Sequence, residues 1–256
     1  MEVEEIIAKS GYPLQLAVEK SINSTYDQHG WSVVAKEHHW SDKYGNEGYI
    51  DLILDHKRYK VRAIIECKKI QGSWNFLIPE VNPLPSHKSI LLRTSYADRS
   101  MSWVSSPIMN QILESSYCVS EVGRQQDKRT LEQISGELLL AVEAQAREEI
   151  DIYPYDQPKD RELFYIPIIV AAVILQKVIF DPKNVNIDDG TLQNSTIDEI
   201  SYIRFRKSLA SNIPPVNSPY AMVEDISKAN ERAVFVVQSA SIVDFLNLLN
   251  TSIECE

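Results

Sequence analysis

Three side chains able to do chemistry lie inside one apolar stretch, EGYIDLILDHKRYKVRAIIECKKI, residues 47–70. Asp51, Glu66 and Lys68 stand within its two apolar runs rather than at their ends. A polar turn centred near Arg58 and Tyr59 folds the runs into a hairpin and brings Asp51 across from Glu66. The two-residue period of a strand puts Glu66 and Lys68 on one face, and cross-strand neighbours share that face. Ile53 and Ile64 are expected there too, with Ile50, Leu52, Leu54, Ile65 and Cys67 on the opposite face. Two carboxylates buried side by side are costly unless a positive charge joins them. Carboxylate oxygens suit hard divalent ions such as Mg²⁺ or Mn²⁺, and Lys68 adds a second cation. The competing arrangement is an exposed ladder of salt bridges, Glu66 with Lys68 or Arg62 and Asp51 with Lys60. Apolar residues on both faces of both runs argue for central strands instead.

The neighbouring segments must position these residues. Leu14, Ala17, Val18, Ile22 and Tyr26 have helical spacing over residues 12–29, with Gly30 as the stop. WSVVAKEHHW reads as a strand, SDKYGNEG as a turn, and the hairpin strands cover about 48–56 and 59–69. His38 and His39 are adjacent, so a strand sends them to opposite faces and they make a poor ligand pair. SILLRTSY, residues 89–96, is a further strand; residues 98–128 have no clear pattern. Thr130 and Gln133 have capping-box spacing, and Leu131, Ile134, Leu138, Ala141 and Val142 form one helical stripe. LFYIPIIVAAV and LQKVIFD read as two strands, DPKNVNIDDG as a turn-rich connection, RAVFVVQSA as a strand and SIVDFLNLLN as an amphipathic helix. IRFRKSL fits strand or turn, and NIPPVNSP, residues 212–219, reads as a loop. Strands alternating with helices predict an α/β class.

Composition narrows the function. The chain has 256 residues, with apolar and charged fractions of an ordinary globular protein. No apolar run reaches the roughly 18 residues of a membrane span. The acidic MEVEEII start is unlike a secretory signal, and three scattered cysteines suit a reducing compartment, so a cytoplasmic protein is expected. Eight glycines cannot be assembled into a phosphate-cradling loop motif. A net charge of −10 argues against nonspecific coating of nucleic acid, though not against a local basic groove.

Asp51, then fourteen intervening residues, then Glu66-Cys67-Lys68 resembles the D…(D/E)-x-K signature of the PD-(D/E)xK nuclease superfamily, the restriction-endonuclease-like fold. Ile50 stands where a proline often precedes the aspartate in that family. The resemblance implies an α-β-β-β-α-β core, a mixed central sheet flanked by helices, over residues 1–175. Residues 176–256 are then a C-terminal extension packed on the same domain. It further implies a Mg²⁺- or Mn²⁺-dependent nuclease hydrolysing phosphodiester bonds, of DNA, within a genome-defence or repair system. Asp51, Glu66 and the Cys67 carbonyl would hold the metal, and Lys68 would orient the nucleophile or stabilise the phosphate. Glu19 of the first helix is either a further metal ligand or a surface residue. Lys69 and Gln71 are candidate phosphate contacts, and Trp74 a candidate base-stacking residue. Arg204 and Arg206, with Lys207, form either a groove wall or a solvated basic segment. No target-reading module is evident, so a partner protein or a homo-oligomer is expected. The alternative is a non-catalytic assembly or nucleic-acid-binding subunit that retains the nuclease fold.

Overall fold

The computed structural model describes residues 4, 7, 10–80, 88–120, 130–153, 162–213 and 227–254. Helix α1 (Tyr12–Ser24) carries a proline in its first turn, where the missing N–H costs nothing, and turns Gln15, Val18 and Ile22 inward. The single turn α2 (Tyr26–His29) stops at Gly30, as expected, with φ at +75°. A side chain at Gly30 would be strained and would also strike Lys57 and His56. An antiparallel meander follows: β1 (Trp31–Ser41), β2 (Glu47–His56) and β3 (Val61–Pro79). Next come β4 (Ser89–Ser95), β5 (Ser100–Ser106), β6 (Glu114–Ser115) and β7 (Cys118–Ser120). Helix α3 (Leu131–Ile152) leads into β8 (Glu162–Phe180), and then β9 (Thr196–Glu199), β10 (Tyr202–Ser208), β11 (Glu231–Gln238) and α4 (Ile242–Glu254) complete the order.

The sheet order is β1-β2-β3-β8-β11-β10-β6, with β7 on β3, β4 and β9 on β8, and β5 on β4. β3 and β8 run parallel from Val61↔Phe164 to Pro79↔Phe180. A parallel neighbour needs a long crossover, which the segment containing α3 provides. Beyond Lys69, residues 70–72 of β3 bulge opposite one residue of β8, and Gly72 takes φ +91° there. β3 therefore continues well past Lys69, where the sequence pattern predicts its end.

Each face of the sheet is covered. Leu131, Ile134, Leu138 and Val142 of α3 pack with Ile53, Ile64, Trp74, Phe76 and Ile169 on one face. Val18 and Ile22 of α1 and Phe245, Leu246 and Leu249 of α4 pack with Leu52, Leu54, Ile65 and Phe235 on the other. Each such aliphatic or aromatic side chain contributes roughly 1.5–3 kcal/mol on burial.

Helix α3 is tied down at both ends. Thr130 and Gln133 form the expected reciprocal capping box. Arg99 donates to the carbonyls of Ile150, Asp151 and Tyr153, placing a cation at the helix C-terminus. Between them, Arg62 of β3 grips both oxygens of Asp55, at 2.6 and 2.9 Å, and also Glu149 of α3. Tyr165 donates to the same Glu149 at 2.9 Å. Burial works against the Arg62 charge, yet Asp55 and Glu149 hold its pKa above the ordinary value.

Several expectations are corrected here. LFYIPIIVAAV and LQKVIFD form one strand, β8, because β3 offers a parallel edge along its whole length. IRFRKSL is β10, SILLRTSY is β4 as expected, and part of the unplaced 98–128 segment is β5, antiparallel to it. Residues beyond 176 build into the sheet itself: β11 pairs in parallel with β8, Phe235↔Ile168 through Gln238↔Ala171. Residues 121–129, and 214–219 of the expected 212–219 loop, lie outside the described residues. No described helix is long and apolar enough to cross a membrane.

Candidate active site

The hairpin has the expected register, with Leu52↔Ile65 and Ile53↔Ile64, which makes Asp51 and Glu66 the next cross-strand neighbours. Backbone pairing between β2 and β3 stops at Leu52↔Ile65, however. The reason lies in β1 and β2. Lys36 reaches Glu19 of α1 at 3.1 Å, whereas His38 reaches Glu148 of α3 at 3.2 Å. Residues two apart on a regular strand share a face, and these two do not. In β2, Leu52 lies in the core with α1, but Ile50 lies in the core with α3. The expectation that Ile50 shares a face with Leu52 is therefore overturned. Between these positions stand Glu37, with φ +48°, and Asp51. The β1–β2 register holds on either side, Lys36↔Leu52 and His38↔Ile50, and skips this one rung. Both strands invert together, so the end of their hairpin peels away from β3.

The inversion turns Asp51 toward the opened seam. One carboxylate oxygen accepts the Cys67 backbone N–H at 2.6 Å, where a continued ladder would have supplied a β2 carbonyl. The Asp51 carbonyl accepts from Gln15 Nε2 of α1 at 3.0 Å. Lys68 forms an ion pair with Glu66. Glu37, Asp51 and Glu66 thus occupy one rung across three strands.

This arrangement holds Asp51 in an unusual state. Burial, the neighbouring Glu66 charge and the more distant Glu37 push its carboxyl pKa up to about 7, against the opposing effects of the Cys67 N–H and Lys68. Cys67 itself is buried, and its thiol pKa is raised chiefly by that burial and then by Asp51 and Glu66. Glu66 opens onto a cleft of about 350 Å³ beneath the peeled hairpin, lined also by Trp40, Glu47, Tyr49 and Glu137. A larger cavity, about 740 Å³, lies between residues 107–113, 200–202 and the C-terminal part of α4. Among the described residues it shares no lining residue with the cleft and carries no carboxylate or basic side chain, whereas Glu47, Glu66 and Glu137 line the smaller one.

The other predicted residues are scattered. Glu19 sits on α1, which packs on the face of Leu52 and Ile65, and its carboxylate is held by Lys36 at 3.1 and 3.3 Å. Glu37 is the third acidic residue whose charge acts on Asp51. Lys69 and Gln71 are exposed next to the site. Trp74 is 1% exposed, in the α3-side core, so it has no face to offer a base. Arg204 is likewise 1% exposed, bound to Glu114, to Ser89 Oγ at 3.0 Å and to the Met109 carbonyl at 3.1 Å. It is a buried ion-pair member, not a groove wall. Arg206 pairs with Glu231 at 2.8 Å and Lys207 with Glu132 at 2.8 Å.

Glu37 and Gln15 are the two residues that the sequence pattern does not single out. Counting outward from the 42–46 turn places Glu37 opposite Asp51, which is the one signal that points to it. Gln15 carries no such signal beyond its position on the inward stripe of α1. Among the described residues, no group of three or more His, Cys, Asp and Glu side chains is arranged to hold a metal ion. A cation here would rest on Asp51, Glu66 and water. Compared with known proteins, the chain matches no family model, no curated protein and no solved structure.

Proposed function

We propose that the chain is a Mg²⁺-dependent nuclease that hydrolyses phosphodiester bonds of DNA. The observation that carries this reading is the meeting of Asp51 with the Glu66–Lys68 pair where the β2–β3 seam opens. The element order supports it: a helix, a three-stranded meander, and a helix-containing crossover to a strand parallel to the third. The donor chemistry also fits. Glu66 on the open cleft, with Asp51 buried beside it, suits an ion that keeps several of its waters, and such an ion would offset the burial and the Glu66 charge that raise the Asp51 pKa. Asp51 and Glu66 would hold it, and the ion would supply an acidified water and charge neutralisation. The Cys67 N–H fixes one Asp51 oxygen, and Lys68 brings a positive charge to the phosphate or to the attacking water.

The basic side chains Arg204, Arg206 and Lys207 are engaged with Glu114, Glu231 and Glu132. An acidic chain built this way would meet DNA together with a partner protein or a second copy, in a defence or repair setting. That setting rests on fold analogy. One observation favours a second reading, a non-catalytic subunit: Lys68 forms an ion pair with Glu66 that offsets its charge. A Mg²⁺-dependent cleavage assay on linear, circular and single-stranded DNA and on RNA separates the two. Cleavage lost in Asp51→Ala and Glu66→Ala is expected; no cleavage of any substrate by the wild-type chain would favour the subunit.

A further inference from the structure

We infer that Gln15 is a positioning residue for this site: from α1 it clamps the Asp51 backbone and thereby sets the Asp51 carboxylate across the seam, on the Cys67 N–H. Its catalytic consequence rests on the nuclease reading; its structural content does not.

Regular backbone pairing fails at the inverted rung. The Glu37–Asp51 pair is missing from the β1–β2 register and the Asp51–Glu66 pair from the β2–β3 register. Backbone polar groups in a buried sheet must find partners elsewhere. Two side chains supply them. The Asp51 carboxylate takes the Cys67 N–H at 2.6 Å, and Gln15 Nε2 satisfies the Asp51 carbonyl at 3.0 Å. These two bonds act on opposite ends of one residue, so together they fix how Asp51 is turned.

Gln15 is well built for this. It is 5% exposed and shares the inward stripe of α1 with Val18 and Ile22, at helical spacings of three and seven. The stripe packs on Leu52 and Ile65, the residues just before the seam opens. A carboxamide at such a position is costly unless hydrogen-bonded, and an aliphatic residue would suit packing alone. Helix α1 therefore reaches Asp51 through the backbone, from the face opposite the cleft. The residue of that helix that the sequence singles out, as a metal ligand or a surface residue, is Glu19, which the structure pairs with Lys36.

The test uses two variants without the amide donor, Gln15→Met, close in length, and Gln15→Leu, which joins the apolar stripe and should fold well. Both are compared with the wild-type chain in ¹⁵N-labelled form without added metal. The Cys67 amide proton is expected to lose the downfield shift that a carboxylate acceptor produces. Its hydrogen exchange is expected to rise at least tenfold relative to the Ile65 amide in the same strand, a ratio that general destabilisation would leave unmoved. In the cleavage assay, kcat should fall about tenfold with KM unchanged. An unaltered Cys67 shift and exchange ratio in the folded variants would overturn the proposal. If the wild-type chain cleaves no nucleic acid, the nuclease reading fails, and the Cys67 amide still decides the role of Gln15.

Discussion

The Asp51 carboxylate accepts the backbone N–H of Cys67, 2.6 Å away across the opened β2–β3 seam. It thereby replaces a strand carbonyl with a titratable group, beside Glu66 and under the influence of Lys68. The pH behaviour of the protein should follow from this one carboxyl, whose burial beside Glu66 outweighs the Cys67 bond.

Asp51 has its carboxyl pKa raised from an ordinary 3.8 to about 7. Between those values the folded chain keeps a proton that the unfolded chain has released. Folding stability therefore falls as pH rises through this window, by at most about 1.4 kcal/mol per pH unit, and the penalty is complete above about pH 7. Asp51→Asn cannot ionise and can still accept from Cys67. Urea denaturation in the presence of a chelator should show the variant gaining on the wild type between about pH 4 and pH 7 and the difference levelling off above that. A difference that does not change with pH would remove the basis for this assignment.

Divalent-metal binding should be coupled to the same proton. Mg²⁺ or Mn²⁺ must displace it, so affinity is expected to climb with pH up to about 7 and then level off. Calorimetric titration of Mn²⁺ should show heat and affinity disappear in Asp51→Ala and Glu66→Ala with the fold retained. Unchanged affinity in both variants would mean that the carboxylates do not hold the ion.

Lys68 lowers the Asp51 pKa and pairs with Glu66. Lys68→Met should thus move the Asp51 titration further upward, read by carboxyl-carbon NMR. Metal binding should persist, since an ammonium is not a ligand. The cleavage rate should drop by about 10² or more, the usual consequence of losing an acid–base or charge-stabilising group. Full activity would place that role on another residue.

Arg204 and Arg206 should respond differently to mutation. Arg204 is 1% exposed and its partner Glu114 is also buried, so Arg204→Ala removes the close cation from a buried carboxylate that keeps Arg206 at 3.6 Å, and should cost about 3 kcal/mol. Arg206 is partly exposed beside Glu231, and Arg206→Ala should cost about 1 kcal/mol or less. Thermal or chemical unfolding of the two variants gives the comparison directly. Equal small losses would mean that the Glu114 pair contributes little.

The sequence alone was enough for whatever depends on near neighbours in the chain. The register Leu52↔Ile65 follows from one turn and a two-residue period, so residue order by itself sets Asp51 opposite Glu66. Gly30 as a helix stop and the Thr130–Gln133 box follow from equally local backbone chemistry. The tertiary structure decided which faces are covered and where regular pairing gives way. Ile50 crosses to the α3 side because two strands invert at one rung, a choice that neither strand encodes by itself. Trp74 is core because β3 continues beneath α3, and Arg204 is buried because β10 pairs with Glu114 and Ser115 of β6, far earlier in the chain. Burial of a polar side chain depends on which distant segments pack over it. Local periodicity carries no information about those segments, so it could place the carboxylates opposite one another without showing what surrounds them.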